Sequence, residues 1–233
     1  MVRRMALAAT LAALLILSTA GCSGAAQGQS SYLLPWAAGE DNRQLVNQGN
    51  FAANDLGDCQ SGCATHNDDS MRFAWDFGLP EGTEVLAARA GTVVLVNGSW
   101  DPGHCGGVSA GQAGNVISQL VGVQANFVEI DHGDGTSALY LHLSTVSDDI
   151  ERKARTGEAV AQGEVLGLSG KTGYTQCEPH LHFQVEKSAK ADWFTTSLPI
   201  SFADNDVTIK NPDGVPAEGQ SYISDNVPAR ANP

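Results

Sequence analysis

The residues from His180 to Glu186, read H-L-H-F-Q-V-E, alternate polar with apolar side chains without a break. A strand sends successive side chains to opposite faces, so this run predicts Leu181, Phe183 and Val185 packing into a core. His180, His182, Gln184 and Glu186 then line the other, open face, with two imidazoles side by side. Taken alone, an H-x-H pair is most simply a half-buried strand with surface histidines. The same alternation recurs in R-F-A-W-D-F, where Phe73, Trp75 and Phe77 share one face and Arg72, Ala74 and Asp76 the other. It recurs again in A-L-Y-L-H-L, where Leu139, Leu141 and Leu143 oppose Ala138, Tyr140 and His142.

Turn chemistry separates these runs. L-P-E-G reads as a type I turn with Pro80 second and Gly82 fourth. E-V-L-A-A-R-A-G-T-V-V-L-V reads as a hairpin turning at Ala90 and Gly91, and N-F-V-E-I-D-H-G-D-G-T-S-A-L-Y as another, with Asp134 and Gly135 in the turn. Gly98 to Gln119 is a long Gly- and Ser-rich loop, and only Val146 to Ala161 has room for a short helix, limited by Gly157 and Gly163. The expected fold is all-β, antiparallel sheets forming a groove, with few short helices. With 233 residues, of which 42% are hydrophobic, the chain suits one domain with short tails. A net charge of −13 argues against nucleic acid as partner.

Residues 1–21 carry Arg3 and Arg4 before an uncharged apolar run and small residues, the anatomy of a signal peptide. The run is too short to span a bilayer. Its ending S-T-A-G-C resembles a bacterial lipoprotein signal, although Thr19 stands where leucine is commoner. Lipid on Cys22 would anchor an exported protein to a membrane through a flexible tether, residues 22–35, facing periplasm or extracellular space. Residues 36–71 form an N-terminal extension, 72–188 the core domain and 189–233 an extended, turn-rich tail. Four further cysteines in an exported chain predict two disulfides. Cys59 with Cys63 and Cys105 with Cys177 is the preferred pairing of three, the second tying the loop around His104 to the approach to H-L-H. Their spacing is poor for a zinc ribbon.

The three strands thus present Asp76, His142 and the His180–His182 pair on faces that a core does not explain. A mononuclear hydrolytic zinc site needs three N or O ligands and an open position, together with a group that moves protons near neutral pH. Asp76, the paired histidines, His142 and one more histidine meet that requirement.

The blocks A-W-D-F-G-L-P-E-G-T-E-V-L-A-A-R-A-G-T-V-V, D-H-G-D-G-T-S-A-L-Y-L-H-L-S, G-E-V-L-G-L-S-G-K-T-G-Y and P-H-L-H-F-Q-V, in that order, resemble the lysostaphin- or LytM-type zinc metallopeptidases. The resemblance implies an antiparallel β domain with a groove, one zinc ion and hydrolysis of peptide bonds in peptidoglycan stems or cross-bridges. It implies Asp76 and His182 as metal ligands, and His142 and His180 as catalytic histidines that do not bind metal. The family's commonest pattern, H-x-x-x-D, puts its histidine at Arg72, and a guanidinium has no lone pair to offer. Some relatives with a Y-A-x-D-F strand place that histidine in a preceding loop, which favours His66, ten positions before Asp76. His104, Asp68 and Asp69 remain alternatives. His132 matches a commonly histidine position, read here as structural. A non-catalytic relative that binds peptidoglycan or regulates a partner hydrolase would typically have lost these ligands and histidines, and this chain keeps Asp76, His142, His180 and His182.

Overall fold

The computed structural model describes residues 31–49, 66, 69–106, 124–188 and 195–229. Cys22, Cys59, Cys63, Asp68 and the leader lie outside the described residues. Among the described residues no helix is long and apolar enough to cross a membrane.

Among the described residues ten strands form one sheet: β1 (Gln44–Gln48), β2 (Trp75–Phe77), β3 (Glu84–Leu86), β4 (Gly91–Asn97), β5 (Asn126–Asp131), β6 (Thr136–Val146), β7 (Ala159–Val160), β8 (Val165–Ser169), β9 (Leu181–Lys187) and β10 (Ser221–Tyr222). Their order is β10-β1-β2-β9-β6-β5-β4-β7, with β8 also on β6 and β3 on β8. Every pairing between these strands is antiparallel. Among the described residues two α-helices accompany them, α1 (Asp148–Thr156) and α2 (Asn205–Lys210). The fold is the all-β antiparallel one expected. Helix α1 stops where Gly157, at φ +73°, takes the left-handed cap that its missing Cβ permits.

The main core holds Trp36, Trp75, Phe77, Tyr140, Phe183, Phe202 and Tyr222, each at most 2% exposed. Leu181, Phe183 and Val185 join it from β9, as alternation requires. The opposite face of β9 is not open, however: His182 is 4% exposed, and Gln184 and Glu186 are fully buried. It is covered because a second apolar cluster of Met71, Ala74, Ala125, Phe127, Leu139 and Leu141 forms on that side. The residues just before β2 close over it, with the Ser70 carbonyl accepting a hydrogen bond from Gln184 at 3.1 Å.

Three other local expectations give way. Residues 84–97 are not a hairpin, because β3 pairs with β8 while β4 pairs with β5 and β7. The intervening backbone is claimed elsewhere: Ala87 N–H donates to the Glu164 carbonyl, and Ala88 N–H to the Tyr140 hydroxyl. The turn after β2 sits one residue later than proposed, with Thr83 N–H on the Pro80 carbonyl and Gly82 third at φ +86°, a conformation glycine suits. The C-terminal segment is more than an extended tail. It contributes α2, and β10 pairs with β1, while Phe202, Val207 and Tyr222 lie in the main core. Prolines punctuate that segment but fall outside α2 and β10, where they break no hydrogen bond.

The largest departure from simple alternation is in β6. Residues 136–141 pair with β9, and Leu143, Thr145 and Val146 with β8. Against β5, Leu141 faces Phe127 and Leu143 faces Asn126, leaving His142 as an extra residue at φ +71°. This bulge shifts the parity of everything after it. Before it, Ala138 and Tyr140 enter the main core and Leu139 and Leu141 the second cluster; after it, Leu143 returns to the main core. The assignment of Leu139, Leu141 and Leu143 to a single face is therefore wrong. His142 escapes the core side that strict alternation would give it because the chain turns left-handed there.

Candidate metal centre and its histidines

Asp76 in β2 and His182 in β9 are direct cross-strand partners, and Leu141 of β6 flanks His182 on its other side. Asp76 Oδ1 lies 3.0 Å from His182 Nδ1. His66, at φ +58°, brings its Nε2 to 3.3 Å from the same carboxylate oxygen and 3.2 Å from His182 Nδ1. These three make the one group among the described residues able to share a metal ion. Donor atoms at tetrahedral zinc distances stand about 3.3 Å apart, so this triangle fits such an ion. His66 is 1% exposed, and a buried imidazole facing another buried imidazole and a carboxylate is a donor set suited to a divalent cation.

Burial raises the Asp76 carboxyl, but the neighbouring His66 and His180 and the close polar contacts with His182 and His66 outweigh it and hold it well below the usual carboxylate range. It is the anionic member of the trio.

His142 and His180 stand beside the trio, their ring centroids 4.8 Å apart, and His180 Nε2 lies 3.8 Å from Asp76 Oδ1. Each has its Nδ1 against a backbone carbonyl, His142 on Thr172 at 2.7 Å and His180 on Glu178 at 2.9 Å. A carbonyl only accepts, so Nδ1 carries a proton in both rings, and the neutral form of each has its lone pair at Nε2. Burial, followed by the proximity of His180 and His182, pushes the His142 imidazolium far below its ordinary range, so the ring is neutral. His142 thus holds a lone pair at Nε2 beside the trio, and His180 sets its Nε2 next to Asp76.

The other sequence candidates lie elsewhere. His104 stacks on Trp100 at 4.9 Å and bonds Gln124 Oε1 through Nε2 at 3.0 Å, outside the metal group. His132 bonds the Ala90 carbonyl at 2.8 Å and packs edge-on against Tyr32, in keeping with a structural role. Asp69 is pinned through its carbonyl to Ser197 N–H at 2.9 Å. Cys105 and Cys177 are joined in a disulfide, Cα atoms 4.9 Å apart, next to the segment that presents His180.

Two residues of the site were not found from sequence. Thr172 holds His142 with its carbonyl, a group that carries no side-chain signature. Gln184 sets its Oε1 3.0 Å from His182 Nε2, and its position two residues past His182 on the same face was the available signal.

Comparison with known proteins places this site in a group. The chain is 34% identical to stage II sporulation protein Q of Bacillus subtilis (strain 168) over 103 residues, 43% of this chain and 32% of that protein. It is 30% identical to the peptidoglycan DD-endopeptidase ShyA of Vibrio cholerae over 110 residues, 47% of this chain and 19% of that protein. It thus spans a third or less of the length of these relatives. Among solved structures, the catalytic domain of a point mutant of the prophage-encoded M23 protein EnpA from Enterococcus faecalis aligns with a TM-score of 0.42 at 18% identity, covering 70% of this chain and 94% of that one. The profile of peptidase family M23 matches residues 70–192, a span that holds Asp76, His142, His180 and His182 and stops short of His66. As this is more than half of its length, the chain belongs to peptidase family M23.

Proposed function

We propose that this protein is a zinc-dependent endopeptidase that hydrolyses peptide bonds in peptidoglycan stem peptides or cross-bridges, exported and held at a membrane by lipid on Cys22. The observation that carries this reading is the convergence of His66, Asp76 and His182 within reach of one ion, with the basic nitrogens of His142 and His180 beside them. Zinc, when bound, supplies Lewis acidity and lowers the pKa of a coordinated water to about 7. The chain's own residues do the rest. Asp76 contributes negative charge to the ligand set, while His66 and His182 contribute neutral nitrogens. His142 or His180 takes a proton at Nε2, its Nδ1–H anchored on a carbonyl that then stabilises the imidazolium. The other histidine, carrying at Nε2 a proton taken from solvent before the reaction, donates a hydrogen bond to the oxygen on which charge develops.

Zinc content of the mature protein and release of dye from labelled peptidoglycan, with and without chelator, test the proposal. His66→Ala loses zinc and cleavage together, whereas His142→Ala keeps zinc and loses cleavage by about 10²- to 10⁴-fold. A folded His66→Ala protein with full zinc occupancy refutes the ligand assignment. Cys22→Ser moves the protein from the membrane to the soluble fraction, and unchanged membrane retention refutes the anchor.

The second reading is a non-catalytic member that binds peptidoglycan or regulates a partner hydrolase. The relative matched at 34% identity bears a sporulation name rather than a peptidase name. Zinc uptake without cleavage of any muropeptide would select this reading.

A further inference from the structure

We infer that Gln184 is a positioning residue that fixes the tautomer of His182, so that Nδ1 and not Nε2 is offered to the metal. The inference rests on the metal-site reading above and assigns a cause to one of its ligands. A histidine can bind metal through either nitrogen, and which one is free is decided by the hydrogen bond the other makes. His182 Nε2 faces Gln184 Oε1 at 3.0 Å. A glutamine can present either its oxygen or its nitrogen to a neighbour, so the contact alone does not assign the proton.

The surroundings of the amide do. Gln184 Nε2 lies 3.1 Å from the Ser70 carbonyl and against Glu186 Oε2. The Ser70 carbonyl can only accept, and reversing the amide would set its oxygen against that carbonyl as well as the Glu186 oxygen. The amide therefore has its nitrogen toward Ser70 and Glu186 and its oxygen toward His182. The imidazole must donate from Nε2, and its lone pair is at Nδ1. That is the atom facing Asp76 and His66. Gln184 and Glu186 are both fully buried, so bulk solvent does not reach the arrangement.

His142 and His180 have Nδ1 tied to backbone carbonyls and leave Nε2 free; His182 has the reverse. The three rings are thus sorted by their acceptors. A side-chain acceptor on the same strand face two residues away selects the ligand nitrogen, and carbonyls outside the sheet select the proton-moving ones.

The test is zinc affinity, measured by chelator competition at fixed pH on full-length protein, alongside the thermal stability of the metal-free form. Gln184→Leu should bind zinc about 10- to 100-fold more weakly, the usual effect of removing a group that orients a ligand. Gln184→Glu should also lose affinity, because its second oxygen meets Ser70 and Glu186. Adding Glu186→Gln to it restores a donor opposite that oxygen and should recover most of the loss. This rescue is what a merely structural role would not produce at the metal, and it decides the matter if Gln184→Leu does not fold. Unchanged affinity in folded Gln184→Leu, or a double variant no better than Gln184→Glu, overturns the inference while leaving the zinc site standing. Unmodified protein that takes up no zinc overturns both.

Discussion

The Thr172 carbonyl accepts the Nδ1 proton of His142 at 2.7 Å, and the Thr172 hydroxyl ties the same segment to the strands on either side. That hydroxyl donates to the Leu143 carbonyl at 2.8 Å and accepts from Asn126 N–H at 2.9 Å. Asn126 in turn holds the carbonyls of Trp100 and Ser144 through its amide nitrogen. One buried threonine therefore fixes the bulge that aims His142. Thr172→Val keeps the carbonyl and the volume but strands the Asn126 donor, which should cost about 1–3 kcal/mol in chemical denaturation. Cleavage should fall while zinc content stays at the unmodified level, and loss of zinc in this variant would contradict the separation of the two histidine sets.

Glu129 should make the fold less stable as pH rises. Its side chain is fully buried, and burial pushes the carboxyl up to about 7 from its ordinary value of 4.5, against the lowering effect of the Ser137 hydroxyl that donates to it. Below the lower value both folded and unfolded chains are protonated there. Between the two values the unfolded chain ionises first, so stability falls across that window, by about 3 kcal/mol in all. Glu129→Gln should remove that part of the slope and be the more stable protein at pH 8. Urea midpoints at pH 5 and pH 8 check this, and parallel pH dependence in the two proteins would refute it.

Much of this was legible from residue order, for a physical reason: alternation reports which side chains are buried together. It placed Asp76 opposite Trp75 and Phe77, and it separated Leu181, Phe183 and Val185 from the histidines. Resemblance supplied the roles, and the Arg72 departure directed attention to His66. What escaped was whatever depends on backbone partners. The bulge at His142 leaves no mark in A-L-Y-L-H-L, whose period looks unbroken. The β3–β4 connection reads as a hairpin because turn signals do not say which strand pairs with which. The closure of the second face by Met71, Phe127 and Leu139 needed residues distant in sequence to meet, so Gln184 and Glu186 looked like surface.

Cys105 and Cys177 are 72 residues apart, so their bond closes a long loop. On loop entropy alone its removal should cost about 4 kcal/mol. A Cys105→Ser, Cys177→Ser protein should melt earlier and, because Glu178 just beyond the bridge holds His180, lose cleavage at temperatures where it is still folded. Differential scanning calorimetry and assays well below the transition separate the two effects. Unchanged activity in the folded variant would show that the bridge does not support His180.

Phe202 tests whether the C-terminal segment belongs to the domain. It is 2% exposed and contacts Trp75, Phe77 and Phe183 at ring distances of 5.3–6.2 Å. Phe202→Ala should cost about 3–5 kcal/mol, a core value rather than that of a loosely laid tail. A loss under about 1 kcal/mol in denaturant would return the segment to the periphery.

The extra residue in β6 has an implication for how such a chain can change. Restoring the regular pleat at position 142 would send Leu143 to the opposite face, and the handover from β9 to β8 occurs at the same point. Gly170 confirms how tight that handover is, since a Cβ there would collide with the Ser144 backbone, and its carbonyl receives the His180 N–H at 3.2 Å. The histidine therefore cannot slide along the strand by single-residue insertion or deletion. Its location and the branching of the sheet can change only together.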